Sequence, residues 1–226
     1  MWGLSVTRRF ARGVAAAVLL AGVMPLRTPA QQPAVPSSRE IASAYARSFE
    51  LERAQRFDEA IRALGPVYRA YPTGYTVNLR MAYLFYRNGN HVNAITHYET
   101  AGSAAPFSLE PKLGRLLPLL AQERWAEAEA LAYQVLSGDH FNYYANLRLL
   151  VALRAQRKLD AALQVALKMV TAYPTDGDFL VELALVRDAR GETAEARRLF
   201  GEILILYPES TIAKQYLRDR PPSGGR

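Results

Sequence analysis

Apolar residues recur at three- and four-residue spacing in ten segments between residues 38 and 206, with polar residues between them. That period belongs to a helix with one side against a core. The segments pair as 38–54 with 57–70, 75–88 with 91–104, 109–122 with 125–137, 143–156 with 159–172 and 177–190 with 193–206. Ser37 and Glu40 have capping-box spacing and start the first helix. Pro66 and Pro118 fall inside the pattern, and each predicts a kink, because proline lacks the N–H and crowds the turn before it.

The pairs are copies of one unit. Ala60, Ala94, Ala128, Ala162 and Ala196 lie 34 residues apart in series. Twelve residues after each stand Pro72, Pro106, His140, Pro174 and Pro208. Four prolines in five places at one phase, against a background usage of about 5%, make an internal repeat. Each alanine marks the crossing of the two helices in a unit, where a larger side chain would overpack. The proline stops the second helix, so that the next unit can begin. Tyr71, Tyr173 and Tyr207 precede three of these prolines and are expected to pack across the turn.

This unit resembles the tetratricopeptide repeat, a helix-turn-helix of the same length. Five units begin at Ile41, Tyr75, Leu109, Tyr143 and Gly177 and cover 41–74, 75–108, 109–142, 143–176 and 177–210. The small residue at position 8 is Ser48, Ala82 and Ala184 but Leu116 and Leu150 in units three and four. The turn glycine at position 15 is Gly89 and Gly191 but Gln55, Glu123 and Arg157 elsewhere. The expected fold is all-α: a right-handed α-solenoid of five repeats, closed by a capping helix at 211–220 with Ile212, Tyr216 and Leu217 on its apolar face.

The first helices of units two, three and four are apolar nearly all round, as in "NLRMAYLFYR" at 78–87. Such a helix is buried on every side or faces a partner. The resemblance implies that first helices line a concave groove. The family's groove positions fall here on Tyr45, Phe49, Arg53, Leu79, Tyr83, Tyr86, Arg87, Leu113, Leu117, Leu120, Tyr144, Leu147, Val151 and Arg154. The polar pattern with which some members clamp a free C-terminal carboxylate is missing. "NLR" recurs at 78–80 and 146–148, two units apart. It either contacts an extended ligand backbone or ties adjacent helices together.

Composition narrows the function. The absence of cysteine removes disulfides, zinc-thiolate sites and a cysteine nucleophile. Of the net charge of +7, Arg8, Arg9, Arg12 and Arg27 supply four, in a stretch without acids. The balanced remainder offers no broad face for nucleic acid. A positive start, the twelve-residue apolar run "GVAAAVLLAGVM" at 13–24 and "TPA" at 28–30 predict a signal peptide over 1–30, cleaved after Ala30. The run is too short for a membrane span of about twenty residues. Residues 31–38 read as a flexible linker and 221–226 as a disordered tail.

No nucleophile elbow, phosphate loop or dinucleotide fingerprint is present. His91 and His97 are six residues apart on one helix, on different faces, and His140 replaces a turn proline. No catalytic residue, cofactor or metal is expected. The expected function is an exported, periplasmic or secreted scaffold that binds a protein or peptide in an apolar, aromatic groove. The resemblance adds a role in assembling envelope or secretion machinery. The alternative is an adaptor that stacks end to end or on copies of itself.

Overall fold

A computed structural model describes residues 35–220, which form twelve helices and no strand. The expected signal peptide, most of the linker and the C-terminal tail lie outside the described residues. The helices are α1 (Ser38–Arg53), α2 (Phe57–Ala63), α3 (Gly65–Ala70), α4 (Tyr75–Arg87), α5 (His91–Ala104), α6 (Glu110–Ala121), α7 (Trp125–Leu136), α8 (Tyr143–Ala155), α9 (Leu159–Ala172), α10 (Gly177–Ala189), α11 (Thr193–Leu206) and α12 (Thr211–Asp219). Each first helix packs on its own second helix. From α4 onward the first helices also pack on one another, α4 on α6, α6 on α8 and α8 on α10. The core is therefore built between neighbours.

The repeat register is visible in the burial. All five crossing alanines are fully buried, whereas Ala126, two residues before one of them, is exposed. Position 8 is buried in every unit, whether Ser48, Ala82 and Ala184 or the larger Leu116 and Leu150. Ser37 caps α1: its hydroxyl accepts from the Glu40 N–H, and its own N–H donates to Glu40 Oε2 at 2.7 Å. The Ser37 hydroxyl, which also donates to Glu40 Oε2 at 2.7 Å, and next the Ser37 N–H hold the Glu40 carboxyl below its ordinary pKa.

The two internal prolines behave differently. Pro66 does more than kink its helix: the second helix of unit one divides at Leu64 into α2 and α3, with Pro66 in the first turn of α3. Proline is tolerated there because the first N–H groups of a helix have no partner within it. Pro118 is buried inside α6, which continues to Ala121. The turn tyrosines pack as expected at two junctions. Tyr173 lies against Tyr143 and Phe179, and the Tyr207 ring covers Gly177 while its hydroxyl donates to the Thr175 carbonyl.

All five residues at position 15 have positive φ: 58° at Gln55, 75° at Gly89, 58° at Glu123, 60° at Arg157 and 84° at Gly191. The turn demands the left-handed region in every unit, and three units meet it without glycine. Each such residue carries backbone strain of about 1–2 kcal/mol. The capping helix is present, but turned from its expected face. Ala213 and Tyr216 are buried and Leu217 packs against the core, while Ile212 is half exposed.

Candidate functional site

Units two and four open alike, with Tyr75 and Tyr143, Asn78 and Asn146, and Arg80 and Arg148 in register. Tyr75 donates to Glu110 Oε2 at 2.8 Å, and Tyr143 donates to Asp176 and Asp178 at 3.1–3.2 Å. These bonds tie the start of one unit to the junction with the next. Burial, first, and the acids beside it push the Tyr143 phenol pKa well up, so it remains a donor.

The asparagines clamp the loops. Asn78 Nδ2 donates to the carbonyls of Pro72 (2.9 Å) and Gly74 (2.8 Å). Asn146 Nδ2 donates to those of His140 (3.1 Å) and Asn142 (2.8 Å). Both side chains are fully buried. With both amide protons used, Asn78 Oδ1 can only accept, so the His97 proton sits on Nδ1, 2.7 Å away. His97 lies between Tyr68 and Phe85, and burial draws its pKa down. In unit four Lys168 Nζ takes the place of the histidine, donating to Asn146 Oδ1 at 2.7 Å. The triplet thus makes contacts within the protein, which is the second of the two readings open to the sequence.

Arg80 and Arg148 reach back to the preceding first helices. Arg80 donates to Glu52 Oε2 (2.5 Å) and Ser48 Oγ (3.2 Å), and its guanidinium lies 3.9 Å from the centre of the Phe49 ring. Arg148 donates to the Leu113 carbonyl at 2.6 Å and lies over the Tyr144 ring at 5.1 Å. Both arginines line a cavity of about 760 Å³ bounded by α1, α4, α5, α6 and α8.

Its remaining wall is mostly aromatic and aliphatic: Tyr45, Phe49, Leu79, Tyr83, Tyr98, Leu113 and Leu117, with Tyr144 at the edge. Phe49 is 45% exposed and Tyr144 55%. Tyr98 forms the floor, 4% exposed, and owes its position to Gly114. A Cβ at residue 114 would stand 2.2 Å from Tyr98 Cε1, closer than any real contact. A second cavity of about 940 Å³ lies beyond α8, between Leu147 and Val151 on one side and α10 to α12 on the other. Its charged residues are Asp176, Asp178, Glu182 and Glu209, with Leu206, Tyr207 and Ile212 between them.

The expected groove residues divide among these places. Tyr45, Phe49, Leu79, Tyr83, Leu113, Leu117 and Tyr144 meet in the aromatic cavity, and Leu147 and Val151 lie in the acidic one. Five line neither cavity. Arg53 is exposed, Tyr86 tilts against His91, and Leu120 packs on the core. Arg87 donates to the Tyr83 hydroxyl at 2.7 Å, and Arg154 forms a two-point pair with Glu182 at 3.0 and 3.3 Å. The helical period missed Arg80, Tyr98, Gly114 and Arg148. Gly114 was the available signal, since a glycine inside a helix often marks a close approach. Among the described residues no three acidic or histidine side chains gather as a metal site, and no helix is long and apolar enough to cross a membrane.

No curated protein matches the sequence. Solved structures do. MamA from Desulfovibrio magneticus RS-1, from residue 41 onward, superposes with a TM-score of 0.69 at 16% identity, over 79% of this chain and 99% of that one. YrrB, described as a TPR protein with an unusual peptide-binding site, superposes at 0.63 and 12% identity, over 80% and 94%. A tetratricopeptide repeat protein from Parabacteroides merdae ATCC 43184 superposes at 0.64 and 16% identity, over 79% and 77%. These likenesses carry the fold. Tetratricopeptide repeat models match residues 42–108, 117–177 and 178–210. With the same units legible in its period, its buried alanines and its superposition on these solenoids, the chain belongs to the tetratricopeptide repeat family.

Proposed function

We propose that this chain is an exported, non-enzymatic scaffold whose first helices hold a peptide or helix of a protein partner. Membership of the family supports a protein or peptide as the partner. The observation that carries the groove reading is the aromatic cavity. Four tyrosines, a phenylalanine and three leucines surround open space on the first-helix side. Tyrosine suits such a surface, because it offers an apolar ring and keeps a polar end for partner or solvent. The expected leader at 1–30 directs the chain to the periplasm or beyond, and envelope or secretion assembly is the role this location favours.

The test compares the full chain with a Phe49→Ala, Tyr144→Ala variant in capture from an envelope extract. Both residues are well exposed, so the variant keeps its helical content and melting temperature. The wild type retains a partner that the double variant loses, whereas Tyr133→Ala on α7, outside both cavities, retains it. Equal capture by all three would remove the concave face as the working surface. Intact-mass measurement of exported protein tests the leader: the chain begins at Gln31, and a mass that includes residues 1–30 rejects cleavage.

Self-stacking is the second reading. It is favoured by the exposed apolar side chains of Ile205, Leu206 and Ile212 at the C-terminal end of the array. It requires a molar mass that rises with protein concentration, and a constant monomer mass removes it.

A further inference from the structure

Arg148 and Tyr98 are a cation and a donor without an anion. Arg148 is half buried, and burial lowers its pKa. Its hydrogen bond goes to a neutral carbonyl, that of Leu113. No carboxylate lies within ion-pair distance of it among the described residues. Other half-buried arginines of the first helices differ: Arg80 has Glu52 and Arg154 has Glu182. The Tyr98 hydroxyl, on a side chain 96% buried, points to the same cavity and has no hydrogen-bond partner among the described residues. Burial pushes its pKa up to about 12, against the pull of the Arg148 charge, so it stays protonated and can donate. Glu110, whose carboxylate also lines the cavity and accepts from Tyr75, forms no ion pair with Arg148.

A half-buried charge and a hydroxyl on a largely buried ring have given up much of their water without gaining an ionic partner, which is costly. The group that satisfies both is an anionic acceptor. The cavity around them is apolar, so the acceptor arrives with large apolar neighbours. The cavity runs from Tyr45 and Phe49 of α1 to Tyr144 and Arg148 of α8, and Leu147 and Val151 of α8 line the second cavity. A bound chain therefore has wall to lie on at either side of Arg148.

We propose that the aromatic cavity receives an aspartate or glutamate side chain from an internal segment of the protein partner, bound by the Arg148 guanidinium and the Tyr98 hydroxyl, with the segment's apolar side chains filling the space over α6. This rests on the groove reading above and sharpens it. Gly114 sets the shape, since any side chain there would drive Tyr98 up into the space the partner needs.

A random-peptide library, displayed without free C-termini and selected on the full chain, tests it. Enriched peptides carry an acidic residue beside large apolar ones. Each is then synthesised with an amidated C-terminus, together with its Asp→Asn or Glu→Gln counterpart. Arg148→Gln weakens the acidic peptide by about 30-fold or more, the least expected when a buried charge pair loses a member, and leaves the amide counterpart nearly unchanged. Tyr98→Phe, which keeps the shape and the fold, weakens the acidic peptide by about fivefold to tenfold. If Arg148→Gln fails to fold, the Tyr98→Phe and peptide comparison decides alone. Equal affinity for acidic and amide peptides, lost in the Phe49→Ala, Tyr144→Ala variant, overturns the carboxylate and leaves the groove. A requirement for a phosphate or a free C-terminus also overturns it. Failure to enrich any peptide, or binding indifferent to every cavity variant, overturns the groove and the carboxylate together.

Discussion

Helices α4 and α8 carry the same Asn-Leu-Arg triplet, 68 residues apart, and put it to partly different use. The asparagines do the same work, each closing the loop before its helix. The leucines part company: Leu79 faces the aromatic cavity and Leu147 the acidic one. The arginines differ most, since Arg80 meets the Glu52 carboxylate and Arg148 a neutral carbonyl and the Tyr144 ring. Identical local sequence gives identical local bonds. Charge balance depends on what the preceding unit supplies, and unit three supplies no acid where unit one supplies Glu52.

The largest expected contrast lies in those arginines. Arg80→Met leaves Glu52, 18% exposed, with only the longer 3.8 Å contact to Arg87. It should destabilise by about 2 kcal/mol, below the value for a fully buried pair because water still reaches the carboxylate. Arg148→Met gives up one hydrogen bond but also relieves an unpaired cation, and should stay within about 1 kcal/mol of wild type. Urea denaturation of both variants measures the difference, and equal midpoints would break the comparison.

The asparagines should show the opposite result. Asn78→Ala strands the Pro72 carbonyl and the His97 N–H, while in Asn146→Ala Lys168 still reaches the His140 carbonyl; the Gly74 and Asn142 carbonyls keep their backbone donors. Each variant should cost about 1–2 kcal/mol, with Asn146→Ala at the lower end. A large inequality between them would mean that the two loops are not equivalent. The turns that follow these helices form a smaller pair. Gly89→Ala places a Cβ at a φ of 75°, with nothing within 4 Å to obstruct it, so the cost is the backbone alone, about 1 kcal/mol. Arg157→Gly relieves a similar strain but loosens the unfolded chain, for a net gain of about 0.5 kcal/mol. Melting temperatures should move in opposite directions.

The smallest contrast is in pH. His97 has its folded pKa drawn below the ordinary 6.5, so its neutral form is favoured in the fold. Its contribution is complete above about 6.5 and is lost as pH falls through the lower, folded value. The melting temperature of wild type should therefore drop between pH 7 and pH 5 by more than that of His97→Gln. Lys168, which fills the corresponding role on Asn146, has its pKa lowered from 10.5 by burial and should add no slope in that window. Parallel profiles for wild type and His97→Gln would remove this distinction.

Much of the fold was legible because the repeat states itself five times. A crossing alanine, a terminating proline and an amphipathic period are local demands, and each recurs at one phase. Half of the expected groove residues met in the aromatic cavity for the same reason, since a position in the unit implies a direction on the helix. Arg87 and Arg154 did not follow, because long cations swing to the nearest acceptor, here Tyr83 and Glu182.

The sequence by itself determined the unit, its register, its number and the side on which apolar residues gather. These follow from the period of a helix and from the size of single residues. Only the tertiary structure decided that Tyr98 lies on Gly114, that Arg80 is neutralised while Arg148 is not, and that the array holds both an aromatic and an acidic cavity. Those facts depend on which side chains meet across units, 16 residues apart for Tyr98 and Gly114, 28 for Glu52 and Arg80, and 103 for Tyr45 and Arg148 in one cavity, and no local spacing encodes them. Burial then turns each meeting into chemistry, because a hydroxyl or a charge removed from water must find its partner in whatever the neighbouring unit or a bound chain provides.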